Sequence, residues 1–413
     1  MHPRTVLFLQ GPPSAFWTEL GDACAAAGRR VRKVHFSLGD RLFWHRGGSV
    51  SYRGRLSRWE AWLTAHIARE GVSDIVYYAD RFPYHAIAER VAVRLGIRAW
   101  TTEFGYLRPD WLTFEPLAMG KRSRFPKDPK AIRALAEGVP DPDTEPLFAH
   151  SFWRETTSEV AWNLLNLAGR PIYPLYVSEK YYPPLLDYAS WLMRLTRQGR
   201  EERAARACVE QRVGGDAPFM VVALQLQSDY QIRVATDYGH IEAMLDEILG
   251  AFARCAPADL RLVVKQHPLD NGWENWPKRT ARLAARHGVD DRVEVIQGGN
   301  LRLLTGASAG MITANSTAAV EALRQHRPVI ALGAAIYDLP GLTHQSGLET
   351  FFSAPQAPEP EVTEAFLRAV SAHLQVRGSF YNAAGRRAAT AEIARRINLP
   401  DLYFRCHRQI EGT

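Results

Sequence analysis

Short apolar runs and longer amphipathic stretches alternate over the first hundred residues. "TVLFLQ" (5–10) predicts a strand, and "AFWTELGDACAAAGRR" (15–30) has helical spacing up to Gly28. "VRKVHF" (31–36), "DIVYYAD" (74–80) and "IRAWTTE" (97–103) are further strand patterns. Between them lie the helical patterns "SRWEAWLTAHIAREG" (57–71) and "YHAIAERVAVRLG" (84–96), the second closed by Gly96. Strands separated by helices of this length predict a parallel sheet with right-handed crossovers. Residues 1–115 therefore read as one Rossmann-like domain.

The pattern changes between 116 and 215. "GKRSRFPKDP" (120–129) and "GVPDPDTEP" (138–146) are broken by prolines. "TSEVAWNLLNLAG" (157–169) and "LLDYASWLMRLTRQGREERAARACVEQR" (185–212) read as helices. This region predicts a helical linker packed on a domain. Its segment "YPLYVSEKYYPPLLDYASWLMRL" (173–195) also has the aromatic and basic mix of an interfacial element, so a membrane-facing or acceptor surface stands as the other reading.

A second alternating series fills 216–375. Strand patterns at 219–227, 260–268, 292–298, 309–314 and 328–333 are separated by helical ones at 240–256, 276–288, 301–307 and 316–326. A helical tail, 376–413, contains "AAGRRAATAEIARRI" (383–397). Two Rossmann-like α/β domains facing a cleft, with a helical middle region and C-terminal helices, describe the GT-B architecture. In that architecture the first domain usually holds the acceptor.

Composition narrows this only slightly. The apolar and charged fractions, 46% and 23%, are those of a globular protein. A net charge of +7 favours anionic partners, and suits nucleic acid, anionic lipid or a nucleotide-activated substrate equally. Cys24, Cys208, Cys255 and Cys406 form no CxxC pair, so neither a zinc site nor a disulfide framework is expected. The apolar tetrad near the N-terminus is too short for a signal-peptide core, which predicts a cytoplasmic protein compatible with a membrane surface.

Candidate chemistry gathers at predicted strand ends, where open α/β sheets bind ligands. "QGPPS" (10–14) contains a single glycine and is no dinucleotide or P-loop fingerprint, yet Gln10 and Gly11 lie at the first strand's end. Asp80, Arg81, His85, Glu103 and Arg108 follow later strands of the first domain. In the second, "QLQSDYQIR" (225–233) offers Asp229 flanked by Gln225, Gln227 and Gln231, while "RLVVKQHPLD" (261–270) ends a buried strand in Lys265, His267 and Pro268. "MITANSTAAVEAL" (311–323) opens a helix with Asn315, Ser316 and Thr317. These could be mere capping residues. A helix start at the same edge as a lysine and a histidine points instead to a phosphate-bearing ligand.

These stretches also carry a resemblance. "FLQGPPSAFW", "YADRFPYH", "TEFGYLRPDW", "QLQSDYQIR", "KQHPLD", "NSTAAVEAL", "YDLPGLT" and "VRGSFYN" resemble, in order, motifs of the capsule polysaccharide biosynthesis KpsS/LipB family of Gram-negative bacteria. The resemblance implies a retaining β-Kdo transferase that moves Kdo from CMP-Kdo onto a lysophosphatidylglycerol-type lipid, peripheral on the cytoplasmic face of the inner membrane. It implies that His267-Pro268 and Ser316-Thr317 bind the CMP phosphate, that Asp229 is the nucleophile and that Glu103 is the acid/base. No cofactor, metal or nucleic acid is expected; the partners expected are the CMP-sugar donor, a phospholipid acceptor and other capsule assembly and export proteins. A non-catalytic export adaptor and a two-Rossmann sugar-nucleotide epimerase are the alternatives.

Overall fold

The computed structural model describes residues 4–149, 151–229, 232 and 236–399, without the side chains of Pro184, Leu185 and Leu192. Two compact units divide the chain: residues 1–125, 140–179 and 369–413 form the first, residues 126–139 and 180–368 the second.

The chain opens with β1 (Thr5–Phe8), α1 (Phe16–Ala26), β2 (Arg30–His35), α2 (Leu38–Leu42) and β3 (Ser49–Ser51). It continues with α3 (Trp59–Glu70), β4 (Val72–Tyr78), α4 (Pro83–Leu95), β5 (Arg98–Phe104) and β6 (Trp111–Pro116). Three helices follow: α5 (Pro129–Ala136), α6 (Phe152–Ala168) and α7 (Pro184–Gly214). Next come β7 (Phe219–Ala223), α8 (Ile241–Cys255), β8 (Arg261–Lys265), α9 (Trp276–Arg286) and β9 (Val293–Ile296). The second unit's alternation ends with α10 (Leu301–Ala307), β10 (Gly310–Thr313), α11 (Ala318–Arg324) and β11 (Val329–Ala331). After α12 (Leu348–Ser353), α13 (Pro360–His373) carries the chain back to the first unit, which β12 (Gln375–Arg377) and α14 (Ala383–Asn398) complete.

Both sheets share one topology. The second has the order β11-β10-β7-β8-β9, all parallel, and the first has β12-β6-β5-β4-β1-β2-β3. In each, the unit's first strand is central, and the chain crosses to its other side on reaching the fourth parallel strand. Those crossings, between β1 and β4 and between β7 and β10, are the topological switch points where such sheets bind ligands. The fold is α/β with two Rossmann-like units, as the alternating pattern predicts. Strands β7, β8 and β10 are almost wholly buried, hence their unbroken apolar runs rather than alternation. Helix α8 covers them with Ile241, Met244, Leu245, Ile248, Leu249 and Phe252, a single face at helical spacing.

Three differences from the sequence reading stand out. Residues 116–215 are not one linker: 126–139 and 180–215 join the second unit, and 140–179 the first. The described part of the 376–413 tail, up to residue 399, is no appendage. Ala389, Ile393 and Ile397 of α14 are fully buried in the first core, where Phe380 meets Phe16 edge-on at 4.9 Å. Strands β3, β6 and β12 were not expected. β6 turns back antiparallel to β5, and β12, far along the chain, pairs with it at the sheet's edge. Pairing on both sides, with β5 and with β12, makes "WLTFEP" a strand.

Candidate active site

Three adjacent strand ends of the second sheet bring most of the expected residues together. β7 lies between β8 and β10 with Ala223 in register with both Lys265 and Thr313. The chain therefore leaves the sheet at one level in three places: at 224–229, at 266–270 and at 314–317. Asp229, half-buried, ends the middle one after a turn in which its amide donates to the Leu226 carbonyl at 3.0 Å.

His267 follows β8. Its Nδ1 accepts the Leu269 amide at 3.1 Å, so Nε2 carries the proton of the neutral ring and is a donor. On the other side, Ser316 Oγ accepts the Ala318 amide at 3.2 Å and the Ser316 carbonyl accepts the Tyr337 hydroxyl at 2.7 Å. A hydroxyl that accepts from an amide keeps its own hydrogen to donate. Ser316 and the half-exposed Thr317 thus offer hydroxyl donors to an anion, on the far side of Asp229 from His267.

Other expected ligands have partners within the fold. Lys265 is 5% exposed, and its ammonium donates to the carbonyls of Gly298 and Gly299. It braces the loop after β9, and burial lowers its pKa. Gln225 and Asn315 hold each other, and Asn315 Nδ2 reaches the Ala334 carbonyl at 3.4 Å. Gln227 accepts the Ile241 amide at 2.9 Å and donates to the Gly239 carbonyl at 3.3 Å, fastening the start of α8. These bonds tie the loops at the strand ends together. Pro268 is exposed, and its carbonyl accepts from Arg194 at 2.8 Å. The helix start is also less open than expected, since the Ala318, Ala319 and Val320 amides are bonded within the turn. Gln231 lies outside the described residues.

In the first unit the expected residues divide. Gln10 is 3% exposed, and its Oε1 accepts the Tyr176 hydroxyl at 3.2 Å. Gly11 is glycine because the Trp17 ring lies across it: a Cβ there would come within 2.5 Å of that ring. His85 is fully buried, stacked on Tyr77, with Nδ1 2.9 Å from the Ala79 carbonyl. Burial pulls it down to about 4, so it is neutral and structural. Gln10 and His85 are thus buried, and Gly11 is half-buried beside Trp17.

Asp80, 1% exposed, follows Ala79, whose φ of 53° marks a tight exit from β4 at the switch point. It accepts the Met119 amide at 3.4 Å, and burial raises it to about 6. The half-exposed Arg81 beside it favours the ionised form. Glu103, near the end of β5, and Glu155, on α6, both act electrostatically on Arg108, whose guanidinium lies 5.0 Å over the Phe104 ring. This carboxylate–arginine group faces the same end of the sheet.

Two acids escaped the sequence reading. Glu115 is 1% exposed on β6, accepts the Tyr106 hydroxyl at 2.9 Å and is raised by burial to about 8. A carboxylate inside the apolar run "WLTFEP" was the available signal. Asp270, 4% exposed, closes the "KQHPLD" motif and takes hydrogen bonds from Trp276 Nε1 at 3.0 Å and the Gly272 amide at 2.8 Å. Among the described residues, no group of three or more His, Cys, Asp or Glu is placed to hold a metal ion, and no helix is long and apolar enough to cross a membrane.

Residues 73–381 match the model of the capsule polysaccharide biosynthesis protein family. The chain belongs to that family. It is 27% identical over 386 residues to the capsule polysaccharide export protein KpsS of Escherichia coli, covering 92% of this chain and 97% of that one. It is 28% identical over 390 residues to the capsule polysaccharide modification protein LipB of Neisseria meningitidis serogroup B, covering 92% of each. Among solved structures, the β-Kdo 2,7 transferase of Thermosulfurimonas dismutans KpsC aligns with a TM-score of 0.46 and 13% identity, over 96% of this chain and 100% of that one. Every candidate residue named from β4 onward lies within the family match.

Proposed function

We propose that this family member is a retaining glycosyltransferase that moves Kdo from CMP-Kdo to a lysophosphatidylglycerol-type lipid at the cytoplasmic face of the inner membrane. The observation that carries the reading is the gathering of Asp229, His267 and the Ser316–Thr317 hydroxyls at three adjacent strand ends beside the switch point. A carboxylate between two sets of neutral donors suits displacement at a carbon whose leaving group is a phosphate. His267 Nε2–H and the two hydroxyls take the CMP phosphate and stabilise its negative charge as it departs.

The chemistry runs in two displacements. An Asp229 oxygen attacks the anomeric carbon, the bond from that carbon to the phosphate oxygen breaks, and CMP leaves with the electron pair. The acceptor hydroxyl then attacks the same carbon and displaces the Asp229 carboxylate, and its proton passes to Glu103. Two inversions give net retention. Lys265, Gln225, Gln227 and Asn315 hold the loops that carry these groups, and Arg81, Arg108 and Asp80 fall to the acceptor side. The reading needs no metal.

Intact-mass and radiolabel measurements with CMP-Kdo, with and without lysophosphatidylglycerol, test it. Labelled lipid and released CMP are expected. The name of the Escherichia coli relative, an export protein, favours one other reading: an adaptor that binds lipid-linked capsule and other export components. An adaptor binds the lipid and releases no CMP, and that outcome would replace the enzyme.

A further inference from the structure

Twelve of the nineteen large apolar side chains exposed among the described residues fall within residues 147–195, so unburied apolar surface is concentrated there. In the second unit that surface extends beyond the segment. The loop after β8 lies along the first turns of α7, pinned at three points. Arg194 donates to the carbonyls of Pro268 and Asp270, Asn271 Nδ2 donates to Asp187 at 2.6 Å, and the Tyr182 hydroxyl donates to Glu274 at 2.7 Å.

This loop and the start of the helix turn apolar side chains outward. Trp273 is 55% exposed and Leu269 46%, while Leu186 and Met193, seven apart and so on one face of α7, are 49% and 66% exposed. Charge is sorted across the same surface. Asp270 and Glu274 are 4% and 7% exposed; Asp187 is bonded to Asn271, and Glu274 is paired with Arg279 at 3.1 Å. Arg197 and Arg200 of α7 stand in solvent. Two acids turned in and a third, half-exposed, bonded to Asn271, with cations and a tryptophan turned out: this is the complement of an anionic headgroup layer. A glycan would need polar groups free between the aromatic faces, and here those groups bond to one another.

We propose that the 268–274 loop and the first half of α7 form a docking surface for an anionic bilayer, with Trp273 and Leu269 entering the headgroup region. The inference deepens the proposed function by naming the surface at which the acceptor's bilayer is met, and it rests on that reading. The loop follows directly on His267, so docking would bring the phosphate-binding edge close to the lipid. Amphipathic side chains such as tryptophan partition to that depth.

Flotation of the full chain with phosphatidylglycerol–phosphatidylcholine vesicles and with phosphatidylcholine vesicles tests it. The wild-type chain should float with the anionic vesicles and release at high salt. The double variant Leu269→Ser/Trp273→Ser should lose at least about tenfold in partition. Arg197→Glu/Arg200→Glu should lose a comparable factor on anionic vesicles alone. CMP affinity, measured calorimetrically on each variant, should stay at the wild-type value and show that the unit is folded. Wild-type-like flotation of both double variants would overturn the proposal, as would indifference of the wild-type chain to anionic lipid. A dimer of the wild-type chain that the serine variant dissolves would overturn it too, because a second copy would then cover the patch. Absence of CMP binding by the wild-type chain would sink the donor reading instead, and leave the vesicle result standing.

Discussion

Gln225 and Asn315 close a reciprocal pair across the switch point of the second sheet. Gln225 Nε2 donates to Asn315 Oδ1 at 2.8 Å, and the Asn315 amide donates back to Gln225 Oε1 at 3.1 Å. One link ties the loop that carries Asp229 to the loop that carries Ser316 and Thr317. Gln225→Ala removes both bonds of this link, each worth about 0.5–1.5 kcal/mol. The melting temperature should fall and CMP affinity should weaken with it. Gln225→Glu keeps the acceptor but sets a carboxylate oxygen against Asn315 Oδ1, so it should not restore the melting temperature.

His267→Ala removes the proposed phosphate donor while leaving both sheets packed. CMP should raise the melting temperature of the wild-type chain, because a ligand that binds only the folded state stabilises it by mass action. In the variant that rise should shrink while the unliganded melting temperature changes little. An unaltered CMP affinity would remove His267 from the site.

Asp229→Asn keeps the size of the side chain but makes a far poorer nucleophile. Kdo transfer should collapse while CMP binding survives. With Glu103→Gln the second displacement should slow, so intact mass should show one added Kdo, and peptide mapping should place it within 225–233. An adduct elsewhere, or near-normal turnover by Asp229→Asn, refutes the assignment.

Glu115 makes stability pH-dependent. Burial raises its carboxyl from 4.5 to about 8, so between those values the folded chain holds a proton that the unfolded chain has lost. Its contribution is fully present below pH 4.5 and is lost as pH rises through about 8. Asp80, raised from 3.8 to about 6, adds a slope of the same sign over its lower window. Glu115→Gln imitates the protonated form. It should flatten the fall in denaturation midpoint towards pH 8 and leave the variant more stable than wild type there. Equal slopes for the two chains would show that the acid ionises freely in the fold.

Ile393 tests whether the tail is part of the first core. It is fully buried, so Ile393→Ala should cost about 2–5 kcal/mol, read from chemical denaturation. A change below about 1 kcal/mol would mark α14 as dispensable.

Local pattern determined the alternation of elements in both units, because buried strands and one-sided helices write their burial into spacing. It also determined which chemical groups stand at strand ends: His267, Asp229 and Ser316–Thr317 are legible because "KQHP", "QSD" and "NST" follow apolar runs. Which of those groups bond within the fold was not legible. Lys265, Gln225, Gln227 and Asn315 look like ligands in the sequence, yet their partners are carbonyls, amides and one another in loops many residues away. The parting of residues 116–215 between units, the pairing of β12 with β6 and the burial of Glu115 likewise depend on where distant segments meet. A side chain's type and its place in an element are local properties; its burial and its hydrogen-bond partner are properties of the packed chain, and only the tertiary structure decides them.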